Sequence, residues 1–134
     1  LPARSEMCIR DRNWTRCLGS MINNKKEICL SVPAEPDFVM SLRLFVSGLG
    51  TVSGFDVDEL EAMKLVISEM LVMSVKDEQK TVDFTFDLED GELSLRANVT
   101  FDDRDDLSLK IMEALSDELT TNDVETVVIF KKEA

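Results

Sequence analysis

The sequence contains no histidine, and its three cysteines, Cys8, Cys17 and Cys29, show no Cys-x-x-Cys spacing. Imidazole is the usual base beside a serine or cysteine nucleophile and the acceptor in phosphohistidine relays, so these reaction classes are excluded. A zinc site built from cysteine and histidine is excluded as well. Any acid or base must be a carboxylate or a lysine, and we expect reduced cysteines, as in a cytoplasmic protein.

Basic side chains and long apolar runs are also scarce. The chain has 15 lysines and arginines against 27 acidic residues, a net charge of −12. We expect no nucleic-acid partner, because phosphate backbones are bound by clustered lysine and arginine. No run approaches the roughly 20 apolar residues that cross a bilayer, and none resembles a secretory signal. The composition, with 44% hydrophobic and 31% charged residues, is typical of one soluble domain.

Residues 1–20 differ from the rest of the chain. They carry four arginines against Glu6 and Asp11 and show no periodicity, whereas residues 21–134 hold 11 basic and 25 acidic side chains. We interpret residues 1–20 as a tail or a non-native extension, and residues 21–134 as a single domain. A basic arm that docks on the acidic body is the alternative.

The first half of the domain predicts a strand and two helices. Alternating apolar residues predict a strand over Lys26–Val32, and a spacing of three and four from Pro36 predicts a helix. Gly48, Gly50 and Gly54 follow, and we interpret them as helix ending and close packing. A phosphate loop is the alternative, but these glycines follow a helix and do not open one after a strand.

A second helix begins at Asp56, which forms a capping box with Glu59, and runs to about Lys76. A hairpin follows that turns at Asp90-Gly91. A third helix then carries apolar residues from Leu107 to Leu119, and a last strand covers Val124–Phe130. The order β, α, α, β, β, α, β predicts a two-layer α+β sandwich, in which helices cover one face of a mostly antiparallel sheet.

Two segments of this region resemble one family of bacterial kinases. Residues 32–34 read Val-Pro-Ala before a helix that carries Arg43, and the next helix reads Lys64-x-x-x-Ser68-Glu69. They resemble the anti-sigma-factor serine kinases of the histidine-kinase-like ATPase superfamily, closely over residues 32–75 and in topology afterwards. The resemblance implies that superfamily's fold, serine/threonine protein kinase activity with ATP and magnesium, and a role in transcription regulation.

The resemblance also implies a nucleotide site, which has degenerated here. Glu69 matches the acid that activates a water or a serine hydroxyl, but Met73 stands where the family has the asparagine that binds magnesium. A thioether is a soft ligand, and magnesium prefers hard oxygens. The family's Asp-x-Gly-x-Gly is replaced by the glycine-free segment Phe101–Asp106, and the glycine-rich lid is missing. We expect a pseudokinase without ATP or magnesium, in which Met73 fills the cleft; an ordinary solvated carboxylate is the alternative for Glu69.

The acidic segment from Asp102 to Asp106 has two interpretations. A calcium loop would require the Asp-x-Asp-x-Asp-Gly pattern with a distal glutamate, and this pattern is absent. We favour the second interpretation, in which Asp105 or Asp106 caps the third helix, where the helix dipole stabilises a negative group.

Arg43 is the candidate partner-binding residue. The resemblance implies that an arginine on the first helix contributes to the surface held by the sigma factor and by the STAS-domain antagonist; an ordinary solvated arginine is the alternative. We expect an anti-sigma-factor-like regulator that binds a sigma factor, a STAS-domain protein or a second copy of itself. A divergent ATP-dependent serine kinase that uses Glu69 as its base is the first alternative, and an unrelated structural role is the second.

Overall fold

A computed structural model describes residues 26–102 and 105–132. Within these ranges the strands are β1 Lys26–Pro33, β2 Thr81–Glu89, β3 Glu92–Ala97, β4 Glu118–Thr121 and β5 Thr126–Lys131. The helices are α1 Val39–Val52, α2 Val57–Lys76 and α3 Asp106–Leu115, and a 3-10 turn at Pro36–Phe38 precedes α1. The tail predicted at residues 1–20 lies outside the described residues.

The five strands form one antiparallel sheet in the order β1-β2-β3-β5-β4. Alternation along β2 turns Val82, Phe84 and Phe86 to the core, while Thr81 and Asp83 remain exposed. The three helices cover the apolar face, and the opposite face carries polar side chains. The predicted two-layer α+β sandwich is therefore confirmed, with β1 and β4 at the two edges of the sheet.

The helices join the sheet through one apolar core. Phe45 of α1 meets Phe86 of β2 edge to face, with ring centroids 5.2 Å apart, a favoured geometry for aromatic pairs. Helix α2 turns one stripe of side chains toward the core, and Leu60 at its beginning is half-buried. The fully or almost fully buried members of that stripe are Met63, Ile67, Met70, Leu71 and Ser74.

The predicted start of α2 is also confirmed. The Asp56 carboxylate accepts a hydrogen bond of 2.8 Å from the Glu59 backbone N–H, and the Glu59 carboxylate accepts one of 2.9 Å from the Asp56 N–H. Two backbone donors that the helix itself leaves unpaired are thereby satisfied.

Among the described residues, no helix has both the length and the apolar character needed to span a membrane.

The prediction that three glycines end the first helix is wrong for two of them. The helix continues through Gly48 and Gly50 to Val52, and only Gly54, with a φ of 87°, lies beyond it in a left-handed conformation. Gly50 is buried where α1 approaches α2, and a Cβ there would collide with the side chains of Leu60 and Met63. The expected close packing is therefore present at Gly50, inside the helix.

The predicted end of the third helix is wrong as well. Helix α3 ends at Leu115, and Leu119 belongs to β4, where it pairs with Val128. The backbone is already extended at Ser116, and the threonines that follow Leu119 favour strand geometry. Asn122 then accepts hydrogen bonds from two backbone N–H groups of the turn, so that the last strand begins at Thr126 instead of Val124.

Replacement by alanine should have opposite effects on stability at Gly48, inside α1, and at Gly54, just beyond its end. We expect Gly48→Ala to raise the free energy of unfolding by about 0.5–1 kcal/mol, because the position is helical and a Cβ meets no atom within 4 Å. Gly54→Ala is the control and should lower it, because φ is 87° there. Urea denaturation of both variants measures the difference, and a destabilised Gly48→Ala would contradict the helix through residue 48.

Candidate functional site

Helix α2 places the two candidate residues of the nucleotide site one turn apart. Met73 is 3% exposed, and Glu69, four residues earlier, is half-buried. Side chains four apart lie on the same side of a helix. The sequence explains why Met73 is buried and Glu69 half-buried, because the apolar residues of α2 turn this side of the helix toward the core.

A cavity of about 290 Å³ lies over Met73. Its described lining residues are Met73, Lys76, Asp77, Thr100, Asp102 and Asp105. The segment after β3 therefore meets the C-terminal end of α2. Glu69 is not among the lining residues, so the structure brings Met73, but not Glu69, to this cavity.

An ion pair crosses the rim of the cavity. Lys76 Nζ lies 3.2 Å from Asp105 Oδ1, and the Asp105 side chain is only 10% exposed. The other oxygen of Asp105 accepts a hydrogen bond of 3.1 Å from the Asp102 backbone N–H. The lysine of this cavity is therefore already paired, and the loop after β3 is tied to α2.

These residues do not fit a magnesium nucleotide. Met73 offers a thioether where the cation would need a hard oxygen. Three of the lining residues, Asp77, Asp102 and Asp105, carry carboxylates, and the positive charge of Lys76 is already engaged. A triphosphate would meet net negative charge here, so the cavity lacks the electrostatics that phosphate groups require.

The expected cap of the third helix is only partly correct. Asp105 occupies the N-cap position of α3, but its side chain makes no capping hydrogen bond. The carboxylate instead binds Lys76 and the backbone of Asp102. In the part of the chain that the structure describes, no group of three or more acidic or cysteine side chains could hold a metal ion. Asp103 and Arg104 lie outside that part.

Arg43 lies on α1, next to the exposed residues of that helix. It is half-buried and makes no ion pair with any other described residue. Arg96, by comparison, lies 3.2 Å from Asp87 and 3.9 Å from Glu125. Two large apolar side chains flank Arg43 on the same helix, Met40 at 58% and Leu44 at 65% exposure.

Sequence reasoning missed an apolar groove beside this surface. The groove has a volume of about 210 Å³ and lies between the start of α1 and the C-terminal half of α2. It is lined by Pro36, Val39, Leu71, Val72, Val75 and Lys76. The sequence feature that could have predicted the groove is the pair Val72 and Val75, which extends the apolar surface of α2 beyond the single stripe that the core requires.

Comparisons with known proteins agree with this architecture, although no protein-family model matches the chain. The serine-protein kinase RsbW of Bacillus subtilis is 36% identical over 84 residues, which are 63% of this chain and 48% of that protein. RsbW of Listeria innocua is 32% identical over 100 residues, 75% of this chain and 55% of that protein. The chain thus spans about half the length of these curated relatives.

A solved structure shows the same fold. The crystal structure of the RsbU and RsbW domains of Rv1364c from Mycobacterium tuberculosis superposes with a TM-score of 0.60 at 16% identity, and the match covers 81% of this chain and 32% of that one. The described architecture is accordingly the histidine-kinase-like ATPase fold. Fold and sequence relatives agree, and the chain belongs to the family of anti-sigma-factor serine kinases.

Proposed function

We propose that the chain is an anti-sigma-factor-like regulator that acts in the cytoplasm by binding another protein. The partner is a sigma factor or a STAS-domain antagonist, and the ATP site is degenerate. The observation that carries this proposal is Arg43, a half-buried residue whose guanidinium makes no ion pair with any described residue of a chain with net charge −12.

The surroundings of Arg43 support a protein interface. Although acidic residues are abundant in this chain, none of the described ones pairs with Arg43, so its guanidinium is available to a carboxylate of a partner. Arginine and methionine are enriched at interfaces, where a guanidinium pairs with a carboxylate in a fixed geometry. Met40 and Leu44, both more than half exposed, supply apolar area beside it. The surface therefore favours a partner that presents a carboxylate among apolar groups.

The edges of the sheet offer a second contact region. Strands β1 and β4 each have one side that is not paired with another described strand. Such edges accept an added strand, including one from a second copy of the chain. A homodimer through an edge is compatible with partner binding through α1, since the helices and the edges are different surfaces.

The degenerate cavity supports a binding role over catalysis. In the resemblance Met73 stands where the family has its magnesium ligand, and Asp105 pairs with the lysine beside it. A divergent serine kinase remains the second candidate function, because the relatives are named serine-protein kinases and Glu69 matches the family's acid in the resemblance. The two candidates differ in whether phosphate transfer occurs.

Charge reversal at Arg43 tests the binding role. We expect Arg43→Glu to weaken binding of the sigma factor or STAS-domain protein at least tenfold, because the partner's carboxylate then meets a like charge. Lys110→Glu on α3 is the matched control: it reverses the same charge at an exposed position and should leave binding unchanged. Calorimetric titration with the purified sigma factors and STAS-domain proteins of the source organism provides the measurement. Equal loss in both variants, or binding of none of these proteins, would contradict the proposal.

Phosphate transfer tests the second candidate. We expect no incorporation of labelled phosphate into a STAS-domain protein from ATP and magnesium, because Met73 replaces the family's asparagine and the carboxylates of the cavity leave no free positive charge to hold the phosphates. Transfer that is present in the native chain and lost in Glu69→Gln would establish the kinase instead.

A further inference from the structure

The apolar groove next to Arg43 has the form of a side-chain receptor. Leu71, 1% exposed, lies at its floor, and Val72, 49% exposed, stands at its side. Val39 contributes from α1 and Val75 from the next turn of α2. A volume of about 210 Å³ with aliphatic walls suits one or two aliphatic side chains and offers no pairing to a polar one.

The groove and Arg43 lie in series along α1. Val39 lines the groove, and Arg43 follows it by four residues, which is about one helical turn and places both on the same side of the helix. Both residues are half-buried, whereas Met40 and Leu44 next to them are exposed. The groove at Val39 and the guanidinium-bearing residue Arg43 are therefore about 6 Å apart along the helix axis. Arg43 has no ion partner among the described residues.

We propose that this groove receives an aliphatic side chain from a helix of the partner, and that a carboxylate one turn further along that helix pairs with Arg43. The inference rests on the proposed function, since it takes Arg43 as a partner contact, and it adds the chemistry of what binds there. A helix is the natural occupant because side chains at i and i+4 reproduce the spacing between Val39 and Arg43.

Charge selects this occupant over a second copy of the chain. Lys76 at the rim of the groove is engaged by Asp105, so Arg43 is the positive charge that the occupant must match with a carboxylate. Helix α1 contains no acidic residue between Val39 and Val52, so contacts between the α1 helices of two copies would bring no carboxylate to either arginine. An acidic, aliphatic helix from a different protein satisfies both features.

A defined peptide pair tests the spacing. The probe is an 18-residue helix of alanine and glutamine that carries one leucine and, four residues later, one glutamate. Titrated into the ¹⁵N-labelled chain, it should shift the backbone amide signals of Val39, Arg43, Val72 and Val75. Peptides with leucine replaced by alanine, or glutamate by glutamine, should bind at least threefold more weakly. A peptide with the glutamate two residues from the leucine, on another face, should behave like the glutamine peptide.

Two protein variants locate the contact. We expect Val72→Glu to abolish the shifts, because it places a carboxylate in the groove at a position where the side chain is exposed and folding tolerates it. The matched control Val52→Glu changes another exposed valine, at the far end of α1, and should leave the shifts intact. The one-dimensional proton spectrum of each variant verifies that it is folded.

Several outcomes would overturn the inference: no shifts with any peptide, equal binding of the peptide with altered spacing, or shifts confined to another surface. A dimer that Val72→Glu alone dissociates would assign the groove to a second copy and contradict the inference too. Failure here is separable from failure of the proposed function. If the sigma factor or STAS-domain protein binds in a manner that Arg43→Glu abolishes and Val72→Glu does not affect, the binding role stands and the groove has no part in it.

Discussion

Met73 is buried at a point where helix α2 meets the loop that follows β3, and the rim of the cavity above it is closed by the ion pair of Lys76 and Asp105. The resemblance predicts an oxygen ligand at this position, and Met73 offers a thioether, which adapts well to irregular apolar space. The ion pair ties α2 to the loop, and the surface that we propose for partner binding lies elsewhere, on α1.

The elements that remain intact are those that present a surface. Helices α1 and α2 pack closely at Gly50, and α1 is held on the sheet by Phe45 against Phe86. This rigid placement fixes Arg43, its exposed apolar neighbours and the groove at one end of the helical layer. A binding module needs such a fixed surface, whereas catalysis would also need the nucleotide half of the fold. The proposed binding role therefore depends on this surface and not on the nucleotide half of the fold.

Local signals in the sequence were sufficient for much of this fold. Alternation predicted four of the five described strands, the capping box at Asp56 indicated the start of α2, and residues 32–69 pointed to the family. The errors arose where tertiary contacts decide. Gly48 and Gly50 look like helix breakers, but packing against α2 holds them in α1. Leu119 continues a helical spacing, yet pairing with Val128 makes it part of a strand. The groove depends on the relative position of two helices, which no single segment encodes, and the roles of Glu69, Met73 and Arg43 remain predictions.

Calorimetric titration of the chain with ATP in the presence of magnesium is the most direct measurement of the central claim, that the nucleotide cavity no longer holds its ligand. The account predicts no measurable heat of binding at millimolar nucleotide. A magnesium-dependent dissociation constant in the micromolar range, which corresponds to about −8 kcal/mol, would contradict it.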